Sequence, residues 1–196
     1  MYLTKLMLNA RDCVRFKIKD AYSVHKLVYS LFPINQQSDK QRILYVDKGS
    51  DQGYRNLLIL SHMQPQASEL LAMTTLRIGD SFWLPCRYHF EVVLNPVKKD
   101  PVTGKRLAVK GLFPVMKWLI DNSSKWGFSA DETTLQAFIQ NTLSFEKDGK
   151  IYCFNRVLFR GTLTVTEQAI FRSAVENGLG HGKAFGFGLL QLSPIV

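Results

Sequence analysis

The chain has 196 residues, 46% of which are hydrophobic, and this length allows one medium domain or two small ones around a substantial core. Its 25 Lys and Arg residues against 16 Asp and Glu residues give a net charge of +9 at pH 7, which favours an anionic partner. No apolar run approaches the roughly 20 residues of a membrane-spanning helix, and the segment MYLTKLMLNARDC lacks the features of a signal peptide. We therefore expect a cytoplasmic protein without a membrane partner.

The first 80 residues predict the order βαββαβ. A strand at MYLTKLMLN is followed by a loop and then by a helix over residues 21–32, which Asp20 would cap and Pro33 would stop. Strands are expected at RILYVDK and RNLLILSHM, a second helix at PQASELLAM, and a further strand at TTLRIGD. This order is typical of a ferredoxin-like, RRM-like domain, in which two helices cover one face of a sheet.

A second cycle of the same kind follows. It begins with a strand in FWLPCRYHFEVVLNP and continues with a helix in LFPVMKWLIDNSSKWG and strands across NTLSFEKDGKIYCFNRVLFRGTLTV. A helix at TEQAIFRSAVEN and a last strand at FGLLQLSPI complete it. The sequence therefore predicts an α+β protein with two tandem ferredoxin-like domains, at residues 1–80 and 81–196, that pack together because no low-complexity linker separates them.

Cysteines and histidines are too scattered to predict a metal site. Cys13, Cys86 and Cys153 form no CxxC pair and have no histidine pair nearby, so we expect three ordinary buried thiols. No cluster of acidic residues suggests magnesium or manganese. We expect neither a metal nor a small-molecule cofactor.

The helix predicted after Asp20 has two stripes. Its core-facing stripe follows the spacing i, i+3, i+4, i+7 and consists of Val24, Leu27, Val28 and Leu31. Tyr22, His25 and Tyr29 share a second stripe that is rotated away from the core. These side chains could simply pack against a neighbouring element. They could also form a site for proton transfer, since imidazole has an unperturbed pKa near neutrality.

A glycine-rich stretch, GLGHGKAFGFG, covers residues 178–188. It does not match GxxxxGK[ST], because Asn177 replaces the first glycine and Ala184 follows Lys183. It is no dinucleotide-binding loop either, because it follows a helix and leads into a strand. A turn alone needs one or two glycines, so five favour close approach of a polyanion to the backbone, with Lys183 as a cationic donor and His181 as a second candidate.

The segment NPVKKDPVTGKRLAVKG is strongly basic. Its cations are Lys98, Lys99, Lys105, Arg106 and Lys110. A run of this kind can be an ordinary solvated loop or a contact to a phosphate backbone, and the net charge of the chain favours the second.

A histidine and a tyrosine on a helix, together with a lysine in a glycine-rich loop, suit one reaction on RNA. The ribose 2′-hydroxyl attacks the adjacent phosphate, a histidine assists proton transfer, and a lysine stabilises the charge that grows on the phosphate oxygens. DNA lacks the nucleophile.

Several segments together resemble the CasE family of CRISPR-associated endoribonucleases. They are MYLTKL, YSVHKLVYSLFP, LNPVKK and the tail FRGTLTVTEQAIFRSAVENGLGHGKAFGFGLLQLSPI, whereas residues 100–150 are less diagnostic. The resemblance implies two ferredoxin-like domains and metal-independent cleavage of precursor CRISPR RNA at the 3′ base of the repeat hairpin. It also implies a 2′,3′-cyclic phosphate or 3′-phosphate and a 5′-hydroxyl as products, and retention of the product in a complex with other Cascade subunits.

The resemblance also assigns site residues. His25 matches the catalytic histidine of the family and Tyr22 the tyrosine one turn earlier, with Lys183 as the loop cation. The RNA-binding loop comprises Gly178, Gly180, His181, Gly182, Gly186 and Gly188, although the family does not require a histidine at 181. Further stem contacts expected by analogy are Lys147, Lys150, Arg156 and Arg160.

Two other functions remain open from the sequence. A non-catalytic subunit that holds an RNA hairpin would use the same fold and the same charge. A membrane-surface or nucleotide-binding domain is disfavoured by the absence of a Walker pattern and by the order of elements around the glycine-rich stretch.

Overall fold

The computed structural model describes residues 1–33 and 42–195. A four-stranded antiparallel sheet forms the first half of the protein, with the strand order β2-β3-β1-β4. Its strands are β1 (Tyr2–Leu8), β2 (Leu44–Asp51), β3 (Tyr54–Ser61) and β4 (Ala72–Arg77). Two helices, α1 (Ala10–Arg15) and α2 (Ala21–Ser30), lie between β1 and β2 in the chain.

Helix α2 begins at a capping box. The Asp20 carboxylate accepts a hydrogen bond of 2.7 Å from the Ser23 amide, and the Ser23 hydroxyl accepts one of 2.9 Å from the Asp20 amide. The helix buries Val24, Leu27 and Val28 in the cluster that contains the side chains of β1 and β3. This is the predicted apolar stripe, and its burial turns the stripe with His25 away from the sheet.

The second half contains a five-stranded antiparallel sheet with the order β11-β5-β10-β8, and β9 also pairs with β10. Its strands are β5 (Arg87–Leu94), β8 (Phe128–Ala130), β9 (Gln136–Lys147), β10 (Lys150–Val165) and β11 (Gln191–Pro194). A small hairpin of β6 (Val97–Lys99) and β7 (Arg106–Ala108) precedes α3 (Leu112–Ser123), and α4 (Gln168–Asn177) precedes the glycine-rich loop. Short 3₁₀ turns occur at Asp80–Trp83, Ser124–Trp126 and Lys183–Phe185.

These topologies confirm the predicted α+β class with tandem ferredoxin-like halves. One continuous apolar core joins the halves, because Leu44, Val46 and Leu60 of the first sheet belong to the same buried cluster as Leu189 and Leu190. Across the same boundary, an ion pair connects Lys48 to Glu91. The glycine-rich loop of the second half is thereby held against the first half.

The predicted helix at PQASELLAM is wrong. The chain is irregular from 64 to 71, and Ala72 and Met73 already belong to β4, opposite Met7 and Leu6 of β1. Pairing with an open edge of the sheet outweighs the helical preference of a short segment that begins at a proline. The first half therefore lacks the second helix of the ferredoxin-like pattern.

Helix α1 was expected to be a loop. It has its own capping box, in which the Asn9 side chain accepts from the Asp12 amide and the Asp12 carboxylate accepts from the Asn9 amide, both at 3.0 Å. The expectation of three buried thiols is also wrong. Cys86 and Cys153 are exposed and Cys13 is half-buried, and Cys153 lies on the part of β10 that extends with β9 beyond the rest of the sheet.

Within residues 1–33 and 42–195, we find no helix of the length and apolar character that crossing a membrane requires.

Candidate active site

The glycine-rich loop brings its 3₁₀ turn, Lys183–Phe185, against helix α2. The Phe185 ring lies 5.7 Å from the His25 imidazole, measured between ring centroids. Two predicted catalytic elements, separated by more than 150 positions in the sequence, therefore form one surface. His25, Tyr22 and Lys183 are each half-buried there.

The His25 imidazole lies among aromatic rings. Its centroid is 4.2 Å from that of Tyr29 and 6.2 Å from that of Tyr22. Burial lowers the pKa of His25 below its ordinary value of 6.5, the Ala184 carbonyl acts in the opposite direction, and the positive charge of Lys147 lowers it further. Burial and the charge of Lys147 therefore favour the neutral imidazole, which is the form that accepts a proton.

The Nδ1 atom of His25 is buried, and no described residue hydrogen-bonds to it. An unpaired polar atom in such a place is costly unless a ligand or a water molecule satisfies it. The half-buried imidazole thus retains a hydrogen-bonding capacity that the fold itself does not use.

Tyr22 connects α2 to the long hairpin of β9 and β10. Its ring stacks on Phe145 with centroids 6.4 Å apart and planes 9° apart. Lys26 and Lys147 both place their ammonium groups over the Tyr22 ring, at 4.9 and 5.5 Å from its centroid. The tyrosine is thus held by an aromatic neighbour and surrounded by positive charge.

Lys183 occupies an electropositive and partly dehydrated position. Burial lowers the pKa of its ammonium group from the ordinary value of 10.5, and the positive charge of Arg42 lowers it further. A cation that is withdrawn from water beside a second cation gains more from an anionic ligand than an isolated surface lysine does. The turn is therefore suited to hold a negatively charged group next to α2.

A cleft of about 310 Å³ opens beside these residues, between the start of α2, the β9–β10 hairpin and the glycine-rich loop. Asp20, Ser144, Arg156 and Gly186 are among the residues that line it. Within it, the Arg156 guanidinium donates a hydrogen bond of 3.2 Å to the Asp47 carbonyl. Polar side chains at the start of α2 and on the β9–β10 hairpin therefore line the cleft and can bind a polar ligand.

The five glycines of the loop, Gly178, Gly180, Gly182, Gly186 and Gly188, all have a φ between +66° and +88°. Packing within the protein also requires two of them. A Cβ on Gly178 would lie 2.7 Å from the Leu44 side chain, and one on Gly188 would overlap the Leu179 carbonyl. The fold thus accounts for glycines that we had attributed to a polyanion, and their contact with RNA stays a prediction.

The predicted basic residues lie in four places, and the fourth, that of Arg160, is described below. Lys147 and Arg156 lie at the site, as described above. Lys98, Lys99, Lys105, Arg106 and Lys110 are exposed on and beside the β6–β7 hairpin, and Lys150 is exposed at the tip of the β9–β10 hairpin. Partial burial lowers the pKa of His181, and the positive charges of Arg106 and Lys183 lower it further. The β6–β7 hairpin therefore continues the positive surface from the glycine-rich loop.

Arg160 lies apart from the site. Its Nε donates a hydrogen bond of 2.5 Å to the Glu91 carboxylate, which also binds Lys48. This ion pair and the stacking of the guanidinium over Phe138 give Arg160 a structural partner that the sequence did not indicate.

Three residues of the site were not predicted: Tyr45, Phe145 and Phe185. Tyr45 is a buried residue of β2 whose hydroxyl contacts both α2 and the loop. Phe145 had a weak signal, because it alternates with solvent-facing residues on a long strand. Phe185 lies inside the glycine-rich stretch, whose predicted function rested on the lysine and the glycines and not on an aromatic residue.

Two ferredoxin-like halves that bring the half-buried His25 and the turn with Lys183 together define a protein class suited to bind an anionic ligand. The family model described as "CRISPR associated protein" matches residues 1–194, so the chain belongs to that family.

Curated relatives of known name match over the full length. The chain is 26% identical to the CRISPR system Cascade subunit CasE of Escherichia coli strain K12, covering 100% of both chains. It is also 26% identical to the CRISPR-associated endoribonuclease Cse3 of Thermus thermophilus, covering 99% of this chain and 100% of the relative.

The fold has a close counterpart among solved structures. Thermus thermophilus Cse3, bound to an RNA that represents a pre-cleavage complex, superimposes with a TM-score of 0.82 at 24% identity and covers 98% of each chain. This similarity confirms the fold of both halves and their relative arrangement.

The loop geometry predicts that Gly188→Ala is more destabilising than Gly180→Ala. Both residues have positive φ, which costs about 1–2 kcal/mol for a residue with a Cβ. At Gly180 the nearest atom to the new Cβ would be 3.6 Å away, whereas at Gly188 it would overlap backbone and add about 1–3 kcal/mol. Urea denaturation measures both free energies of unfolding, and equal losses would contradict this packing.

Proposed function

We propose that this chain is an endoribonuclease that binds the repeat hairpin of precursor CRISPR RNA and cleaves it at the 3′ base of the hairpin without a metal ion. The observation that carries the proposal is the packing of the turn at Lys183 against the helix with His25 and Tyr22. Membership of the CRISPR associated protein family and full-length similarity to relatives named CasE and Cse3 support it.

In the proposed reaction the ribose 2′-oxygen forms a bond to the adjacent phosphorus, and the bond from phosphorus to the 5′-oxygen breaks. The 2′-hydroxyl gives up its proton, and the leaving 5′-oxygen takes one from solvent, so the products are a 2′,3′-cyclic phosphate and a 5′-hydroxyl. His25 accepts the proton in this proposal, since burial and the charge of Lys147 lower its pKa and favour the neutral imidazole. Lys183 stabilises the negative charge that develops on the phosphate, and Tyr22 positions the ribose or phosphate.

The positive surface beside the cleft would bind the hairpin stem. Arg156 lines the cleft, Lys147 lies over the Tyr22 ring, and the β6–β7 hairpin adds exposed cations near His181. Side chains of this kind contact phosphates along an RNA helix and respond to its shape more than to its sequence. The glycine-rich loop would contact the RNA close to the scissile phosphate.

We propose that the enzyme keeps its product and joins other Cascade subunits, as the name of the Escherichia coli relative suggests. It would act in the cytoplasm, where a new transcript is available. We also propose a boundary between two domains near residue 80, which is supported by the end of β4 at Arg77 and the start of β5 of the second sheet at Arg87.

The direct test uses the organism's own repeat hairpin in EDTA, with single-turnover cleavage measured for wild type, His25→Ala and His62→Ala. Loss of general acid–base assistance should slow cleavage by about 10²–10⁴-fold in His25→Ala. His62 is exposed in the segment after β3 and serves as a matched histidine control that should cleave normally.

A substrate with one 2′-deoxy nucleotide at the scissile position should bind but stay intact, because the nucleophile is absent. Tight binding by the wild type without any cleavage would contradict the proposal and would identify a non-catalytic subunit that holds the hairpin. A requirement for a divalent cation would contradict metal independence.

The pKa of His25 gives a pH prediction. Burial lowers it below 6.5, so a general base should be deprotonated and active above that value. The single-turnover rate at subsaturating protein should rise from pH 5 and level off with an inflection below 6.5. Binding measured at each pH separates affinity from chemistry, and a rate that falls as pH rises would show that the protonated imidazole is needed instead.

The β6–β7 hairpin should contribute to the salt dependence of binding. Replacing Lys105 and Arg106 by alanine should make the plot of log Kd against log salt less steep by about one to two units, since each neutralised phosphate contributes about 0.7–0.9. The control is Lys117→Ala with Lys125→Ala, two cations that are bonded to Asp121 and Asn122 instead. An unchanged slope in the hairpin variant would exclude these two residues from the interface.

A further inference from the structure

Tyr45 of β2 is a buried residue at the junction of the two catalytic elements. Only 1% of it is exposed. Its hydroxyl donates a hydrogen bond of 3.1 Å to the Ala184 carbonyl and lies 3.5 Å from the Ala21 carbonyl. Ala21 immediately precedes Tyr22, and Ala184 immediately follows Lys183. One phenol therefore contacts the backbone of the catalytic helix and that of the lysine turn.

The ring of Tyr45 is part of the same arrangement. A Cβ on Gly186 would lie 3.3 Å from it, so the loop comes close to the ring because residue 186 has no side chain. Burial raises the pKa of the Tyr45 phenol far above its ordinary value, and the hydroxyl therefore remains a donor at any working pH.

The geometry points to Tyr45 as a positioning residue: its hydroxyl sets the turn that carries Lys183 at a fixed place relative to His25 on α2. This inference rests on the proposed endoribonuclease function and adds a residue that touches neither the reacting atoms nor the RNA. Small displacements of a catalytic group reduce rates strongly, while substrate affinity depends on a much larger surface. Loss of the hydroxyl should therefore affect the rate of cleavage and leave binding intact.

The test compares Tyr45→Phe with Tyr88→Phe. Tyr88 is a matched control, because it is also buried and its hydroxyl also donates to a backbone carbonyl, that of Phe82 at 2.6 Å, in the second half of the protein. At saturating protein, Tyr45→Phe should cleave the hairpin about tenfold more slowly with its Kd unchanged within about twofold, which corresponds to the loss of one hydrogen bond. Tyr88→Phe should cleave at the wild-type rate.

A second comparison shows whether Tyr45 acts through the lysine. In a Lys183→Ala background, Tyr45→Phe should have almost no further effect, because the group that it positions is gone. An equal loss in that background, a wild-type rate in Tyr45→Phe alone, or an equal loss in Tyr88→Phe would each overturn the inference while the proposed function stands. A wild-type protein that does not cleave at all would overturn both.

Discussion

The contact between the turn at Lys183 and the first turns of helix α2 is the constraint on which the rest of the site depends. His25 and Tyr22 belong to the first half of the chain, and Lys183 belongs to the second. Their common surface exists because apolar residues of the two sheets share one core and because the Tyr45 hydroxyl donates a hydrogen bond to the Ala184 carbonyl of the loop. A change in the packing of the two halves would separate His25 from Lys183.

The same contact explains why charge and burial occur together here. His25 and Lys183 are both half-buried, and the positive charges of Lys147 and Arg42 add to burial in lowering their respective pKa values. Such an arrangement opposes the protonated forms in the free protein and would favour an anionic ligand that relieves the repulsion. RNA phosphate has that chemistry, and its binding would compensate for the electrostatic cost of assembling the site.

Much of this could be predicted from the sequence. The spacing of apolar residues predicted helix α2 and the side of it on which His25 lies. The five glycines indicated that the loop with Lys183 has a special backbone conformation. The prediction of a second helix at PQASELLAM was wrong, because Met73 pairs with Leu6 at a sheet edge that a local sequence pattern does not reveal. The hydrogen bond of Tyr45 and the ion pair of Arg160 were not predictable for the same reason, since each depends on a partner distant in the chain. The packing role of Gly188 was not predictable either, because it depends on the position of the Leu179 backbone in the folded loop.

A double-mutant cycle between His25→Ala and Lys183→Ala, measured as single-turnover cleavage of the repeat hairpin at saturating protein, tests most directly whether the two residues form one site. If they act on the same phosphate, the double variant should be at least about tenfold faster than the product of the two separate losses predicts. Losses that multiply would contradict the account, because they would mean that the helix and the loop contribute independently.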